Sequence, residues 1–494
     1  MLNKIIIVVA AIVCVFFLIN TAGNLQLSTT AAIVIFFVAL AISFIRGVEA
    51  LYIIVFAMLF SPEILMTTAT GRTGAGGIGA VYVRLEDILL VAVGCGWLLR
   101  TAYDRRHFGI ARTGVNTSIG VYIAVCVVAT MLGVIGGTVN LQSGFIENLK
   151  FFEYFFLFFM ILAHVRSKKI ITNMIIAMIV AFFLVIIYGY TQIELSGMSR
   201  VNAPFDSEPN TFGGYIVLLM CVIFGIVLAD QRIRIRVPLT LLLLFAIPPF
   251  IFTLSRASYM AFIAGGLAFM IVSKQRIIVG AIIIGLVAVS MIGIHMLPEK
   301  VEKRIMNTFK AGTEYHYQIA GIDLDSSASA RIKSYLSAIK TWEKAPFFGY
   351  GVTGSHFIDS QYFRLLAQTG LIGLSAFLFM ILMLMKEIWK VHGQCKDDLL
   401  KGAALGFFCG IIAVLVHAVS ANSFIIIRIA EPFWLLAGLI LLIPKLSDEG
   451  PGFAVASGTP ALRSPGEEGP ELGQPAPDGE SVPETTAPVT RPPL

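Results

Sequence analysis

Ser255-Arg256-Ala257-Ser258 places a guanidinium between two apolar runs, with no acidic neighbour close by in sequence. Its charge must be met from elsewhere in the fold, by lipid headgroups reached by snorkelling, or by a ligand. Because a guanidinium stays charged and grips phosphate oxygens through paired hydrogen bonds, Arg256 is a candidate phosphate ligand. A second polar stretch runs from Arg200 through Asp206 and Glu208 to Pro209-Asn210, just ahead of another apolar run. Pro209-Asn210 signals a turn and a helix start, whose open N–H groups suit the same anionic chemistry. A third begins at Ser329-Ala-Arg331 and continues through Trp342 and Ala345-Pro-Phe-Phe-Gly349-Tyr-Gly351. It ends in His356-Phe-Ile-Asp359-Ser-Gln-Tyr362-Phe-Arg364 and Gln368-Thr-Gly370-Leu-Ile-Gly373. The spacing predicts an amphipathic helix over 329–343, with Ile332, Tyr335, Leu336 and Ile339 on one face and Arg331 off it. The glycines around Tyr350 permit a close turn. His356 and Asp359 are three apart, so one helical turn would bring them to one side. Arg84-Leu-Glu86-Asp87 reads more simply, as an interfacial charge pair opening a helix.

The elements that must position these groups are transmembrane helices. Of the 494 residues, 57% are hydrophobic and 13% charged, about half the charge of a soluble protein. Apolar runs near 1–20, 29–45, 47–61, 87–100, 118–137, 149–165, 170–190, 211–229, 237–255, 257–273, 277–297, 365–385, 402–420 and 425–444 give about fourteen spans. The runs are unbroken rather than alternating, which argues against a β-barrel. The first lacks a small-residue cleavage site and reads as a retained span. The expected fold class is an all-α polytopic membrane protein.

Loop charges orient it. Arg100, Arg105, Arg106 and Arg112 share one loop, and Arg166, Lys168 and Lys169 another. Arg232, Arg234 and Arg236, then Lys274 and Arg276, then Lys386, Lys390, Lys396 and Lys401 follow at even span intervals. All fall on one side, the cytoplasmic one by the positive-inside rule, with both termini there too. The net charge of +6 is thus an orientation signal rather than a nucleic-acid footprint. Residues 298–364 form a long extracytoplasmic loop that is nevertheless basic, with Lys300, Lys303, Arg304 and Lys310 among others. An anionic ligand accounts for that; a loop balanced by its own Glu and Asp residues is the simpler account. Residues 1–445 form the membrane domain, and 446–494, rich in Pro, Gly and Glu, form a disordered tail. No pair among the six cysteines has metal-ligand spacing, so they read as small buried hydrophobes.

Four stretches, PFDSEPNTFGGY (204–215), SRAS (255–258), R-x10-W-x2-APFFGYG (331–351) and DSQYFRLLAQTGLIGL (359–374), together resemble the O-antigen ligase/polymerase (Wzy_C) superfamily. The resemblance covers about residues 80–445. It implies a GT-C-like membrane glycosyltransferase, with no cofactor and no metal, working outside the bacterial cytoplasmic membrane. The implied donor is an undecaprenyl-diphosphate-linked glycan. An acceptor glycan's hydroxyl attacks the anomeric carbon and the lipid diphosphate leaves. Arg256 and Arg331 suit the diphosphate; Arg200, Asn210, Tyr362 and Arg364 are candidate substrate-binding residues. Ligases of the family carry His-Asn where this chain has Asp359-Ser360. Asp359 occupies the motif position and is the expected base; His356, with an ordinary pKa near ~6.5, is the alternative. Asp359 would otherwise orient the acceptor or pair with an arginine. The Asp-Ser-x-Tyr pattern looks closer to the polymerase branch, and a polymerase of lipid-linked repeat units is the expected activity. Transfer to a lipid A-core or protein acceptor is the runner-up. Membrane lipids are implied partners, other polysaccharide-assembly proteins are possible ones, and nucleic acid is not. A lipid-linked oligosaccharide transporter also needs many spans and cations. Its charges would trace a path through the membrane, whereas here Glu153, His164, His417 and Glu431 are scattered exceptions.

Overall fold

The computed structural model describes residues 29–60, 63–68, 80–103, 111–195, 200–202, 204, 208–273, 318–319, 322–323 and 326–446. It is helical, with two short antiparallel ladders. Helices α1 (Thr29–Ile45) and α2 (Gly47–Phe60) lead to strands β1 (Glu63–Thr68) and β2 (Ala80–Arg84), paired with Ile64 opposite Val83. Then come α3 (Leu85–Tyr103), α4 (Asn116–Ile135), α5 (Leu141–His164), α6 (Lys168–Leu195), α7 (Pro209–Ala229), α8 (Ile233–Phe252) and α9 (Arg256–Val272). The two-residue strands β3 (Gln318–Ile319) and β4 (Ile322–Asp323) precede α10 (Ser326–Lys344), α11 (Gln361–Gln394), α12 (Asp398–His417) and α13 (Ile427–Leu442).

A helix stands at every expected span except 1–20 and 277–297, which lie outside the described residues, as do most of the 298–325 loop and the tail. Seven of the described helices are long and apolar enough to cross a bilayer. The apolar composition explains why each run is helical: away from water, backbone groups must be satisfied within the segment. α7, and α13 apart from its buried Arg428 and Glu431, are apolar on nearly every side and buried along most of their length, the behaviour of central helices. α8 and α9 instead expose Leu241, Leu244, Met260, Ile263, Leu267 and Ile271, a surface suited to lipid tails. Trp434 of α13 anchors the interior, its ring centroid 4.8 Å from that of Phe155 on α5 and edge-on to it.

α7 and α12 approach each other closely. A Cβ on Gly225 would stand 2.5 Å from the Gly406 nitrogen and one on Gly406 2.6 Å from the Val222 Cα. Small residues four apart on α12, Gly402 and Gly406, are what allow this approach.

Helix ends sort into two sets. At one end Arg232 pairs with Asp230 and faces Lys396, Asp397 and Asp398. Here too Lys445 Nζ donates to the Arg112 carbonyl, and His392 Nδ1 lies 3.1 Å from the Lys401 carbonyl. These are the residues of the expected cytoplasmic loops. The opposite end collects the SRAS turn, α10, the 345–360 segment and the end of α12.

α11 is longer than the apolar run 365–385 suggested, and it is broken at Gly370 (φ 64°, ψ −165°). The break is closed by the Ala345–Gly351 turn. Tyr350 N donates to the Ala367 carbonyl (3.0 Å) and Gly351 N to that of Gln368 (2.8 Å). On the far side, Leu371 N donates to Pro346 (2.9 Å) and Ile372 N to Phe347 (3.2 Å). The turn thus satisfies carbonyls and amides that a broken helix leaves open.

Candidate functional site

Arg256 occupies the first position of α9. Ser255 caps the helix, its Oγ accepting from Ser258 N at 3.3 Å. Leu254, just before, holds φ at 50°, a left-handed conformation costly for a bulky residue. The chain therefore turns sharply where it presents Arg256, which is half-buried. Arg200 is strapped to the same place: its Nε donates to the Thr253 carbonyl at 3.1 Å, and Val201 N donates to Phe252 O at 2.9 Å. Asn210, in the first turn of α7, accepts from Ser255 Oγ at 2.9 Å and donates to Glu208 at 3.1 Å. Asp206 lies outside the described residues.

Arg331 and Asp359 meet around Tyr335. The expected amphipathic helix forms as α10, with Ser329 and Ala338 buried. Tyr335 stacks on Phe363 (centroids 4.6 Å apart, 15° between planes) and donates to the Val419 carbonyl at 2.9 Å. Burial pushes its phenol above the ordinary range; the Arg331 charge pulls it back and Asp359 adds to the rise. Both charges thus lie within electrostatic reach of one hydroxyl.

Asp359 is exposed, but its backbone is pinned on both sides by the 418–424 turn. Asn422 Nδ2 donates to Ile358 O (2.9 Å), Gln361 N to Ala418 O (3.1 Å), and Phe424 N to Gln361 Oε1 (3.3 Å). His356 is also exposed. The helical turn that would align it with Asp359 is absent: 352–360 is a loop, and α11 starts at Gln361. Gly351 (φ 87°) and Thr353 (φ 73°) set the path of this loop instead.

Tyr362 and Arg364 face protein partners. Tyr362 Oη donates to Leu415 O at 2.7 Å. Arg364 bonds Glu147 Oε1 and Gln368 Oε1, both at 3.3 Å, and lies 5.7 Å over the Phe151 ring. The two residues hold the start of α11 against α12 and α5. The structure thus gathers Arg200, Asn210 and Arg256 at one turn, and Arg331 with Asp359 at another.

Joining the two turns is His417, fully buried at the end of α12. Its Nε2 lies 3.2 Å from Ser258 Oγ and its Nδ1 2.7 Å from Ser423 Oγ. Arg331 is within electrostatic reach of the same ring. In the sequence His417 is only a polar residue in an apolar run; its partner Ser258 lies 159 residues away, so no local pattern could connect them. The partners of Asn422, Tyr335 and Glu147 are likewise distant, at 64, 84 and 217 residues, so their contacts escape a local reading too. Gly213 and Gly214 make room for this cluster: a Cβ on Gly213 would stand 2.7 Å from Ser258 Cβ, and one on Gly214 2.9 Å from His417 Cε1. Among the described residues, no three His, Cys, Asp or Glu side chains are arranged to hold a metal ion.

No curated protein matches the chain closely enough to be counted a relative. Residues 241–378 match the Wzy_C family model, described as O-antigen ligase. The matched region takes in the Ser255–Ser258 turn, α10 and the Asp359 segment, and it supports membership of the O-antigen ligase/polymerase superfamily.

Proposed function

We propose that this member of the O-antigen ligase/polymerase superfamily is a surface-polysaccharide polymerase of the bacterial cytoplasmic membrane. It joins undecaprenyl-diphosphate-linked repeat units at the outer face. The observation that carries this reading is that the Arg256 turn and the Arg331–Asp359 turn both lie at the helix end opposite the basic loops, joined through Ser258, His417 and Ser423. In this reading Arg256 and Arg331 hold the donor diphosphate. An acceptor sugar hydroxyl attacks the anomeric carbon, a new glycosidic C–O bond forms, and the bond to the diphosphate oxygen breaks. The electron pair leaves with the lipid diphosphate, where the two guanidinium groups meet the growing charge. The acceptor's proton passes to the Asp359 carboxylate, with His356 as the alternative base. Asn210 and Arg200 fix the donor end of the site, and Tyr362 and Arg364 act on substrate indirectly, by holding the start of α11.

Ligase-type transfer to a separate acceptor is favoured by one observation, the description of the matching family model as O-antigen ligase. The product separates the two: a polymerase gives a ladder of lengths, a ligase a single transfer.

Alanine at Arg256 and Arg331, Asp359→Asn and His356→Ala test the roles in cells producing full-length protein at matched levels. Loss of each arginine shortens or abolishes the polymer; wild-type polymer from both variants contradicts the clamp. Inactive His356→Ala with normal Asp359→Asn exchanges the two candidate bases.

A further inference from the structure

The hydroxyls around His417 can be oriented in one consistent way. Ser255 Oγ donates to Asn210 Oδ1 at 2.9 Å, so its single proton is committed. Ser258 Oγ donates to Ser255 Oγ at 2.8 Å, committing its proton as well. Ser258 Oγ therefore meets His417 Nε2, 3.2 Å away, as an acceptor, and the proton between them belongs to the ring. In a neutral imidazole the other nitrogen then accepts, and Ser423 Oγ, 2.7 Å from Nδ1, is the donor. Asn210 Nδ2 continues the sequence to the Glu208 carboxylate at 3.1 Å. All donors point one way, from Ser423 through His417, Ser258, Ser255 and Asn210 to an anion. Such a chain polarises each bond in the same sense and resists rearrangement at any single link.

The chain spans the two halves of the candidate site. Ser255 and Ser258 flank Arg256 and cap its helix; Ser423 belongs to the turn that pins Asp359 and receives Tyr335. His417 is fully buried, and a ring that touches no solvent is poorly placed to exchange protons with a substrate.

We propose that His417 is a positioning residue, held as the neutral Nε2–H tautomer, which sets the spacing between the Arg256 turn and the Asp359 segment for the transfer. The kinetic half of this inference rests on the glycosyltransferase reading above; the tautomer does not. A misplacement of about 1 Å at a reacting centre costs up to about a hundredfold in rate. Losing the chain is thus expected to lower kcat at least about tenfold while the donor KM changes less than about twofold.

The test uses full-length protein in lipid nanodiscs, with 15N-labelled histidine, as wild type, His417→Phe and His417→Gln. The 15N signal absent from both variants identifies His417. It is expected at shifts typical of a neutral ring protonated at Nε2. A ring protonated at Nδ1 overturns the chain, whatever the activity. In the transfer assay with an undecaprenyl-diphosphate-linked glycan, His417→Phe is expected to lose kcat. His417→Gln, whose amide can donate to Ser258, is expected to recover most of it. Wild-type kcat in His417→Phe overturns the positioning role. If the wild type itself transfers no lipid-linked glycan, the proposed function falls, and the 15N reading alone decides the chain.

Discussion

Replacing Gly370 with alanine strikes the joint on which the candidate site is built. Its φ of 64° with ψ of −165° lies in a region that is essentially glycine's alone, and holding another residue there costs about 1–3 kcal/mol. The new Cβ would also stand 2.6 Å from the Phe348 nitrogen, a backbone atom that cannot rotate away. Relief requires the Ala345–Gly351 turn to retreat. The bonds from Leu371 N to Pro346 and from Ile372 N to Phe347 are the first lost, at about 0.5–1.5 kcal/mol each. Gly370→Ala should therefore destabilise the protein by about 2–6 kcal/mol. Gly393, near the end of the same helix, has open space where its Cβ would go, and Gly393→Ala should be neutral or stabilising by up to about 1 kcal/mol. Thermal unfolding of both variants in detergent reads the difference. Limited proteolysis should also show faster cleavage within 345–351 in Gly370→Ala. An unfolding midpoint for Gly370→Ala equal to that of wild type would refute the turn as the clasp of the broken helix.

Two further outcomes follow from the charges. Glu147→Ala leaves the mostly buried Arg364 guanidinium without its carboxylate, whereas Arg364→Ala leaves Glu147, whose side chain is 30% exposed, able to rehydrate. Glu147→Ala should therefore be the more destabilising single change, and adding Arg364→Met should recover part of the loss; thermal midpoints of the three variants decide it. Hydrogen bonds from Arg232 hold the Asp230 carboxyl below the usual carboxylate range. A depressed native pKa adds stability that is complete above the unfolded value of about 3.9 and fades as pH falls toward the native one. Asp230→Asn should thus lower the midpoint at pH 7, and the gap to wild type should close below about pH 4. A pH-independent gap would show that the carboxylate's charge is not what matters.

The sequence was most legible where one physical constraint acts alone. Each unbroken apolar run among the described residues became a helix, because a backbone away from water has little other choice. The 3.6-residue pattern at Ile332, Tyr335 and Ile339 gave a helix over 326–344, close to the expected 329–343. Gly370 was harder to read. It sits in a strongly apolar helical stretch, and only the distant Ala345–Gly351 turn makes a break there favourable. The helical turn joining His356 to Asp359 fails for a similar reason, since bonds to the 418–424 turn hold Ile358 and Gln361 on either side of Asp359, which lies in a bend just ahead of α11. Arg364 looked like a ligand for substrate because its partner, Glu147, lies 217 residues away. His417 was visible as an oddity, but its meaning lies in contacts between α9, α12 and the 418–424 turn. Local spacing reports helices, caps and turns; the pairing of charges and hydroxyls across helices is set by the packed bundle.

The central claim is that the cations at this end of the bundle drive transfer from a lipid diphosphate. Its most direct test is purified full-length protein in vesicles, supplied with undecaprenyl-diphosphate-linked repeat units and followed by released lipid diphosphate and saccharide length. The wild type should release lipid diphosphate in step with a growing ladder, and Arg331→Ala should lower the rate by about a hundredfold or more. Release at the wild-type rate by both Arg256→Ala and Arg331→Ala, or no transfer from the lipid-linked donor by the wild type, would contradict it.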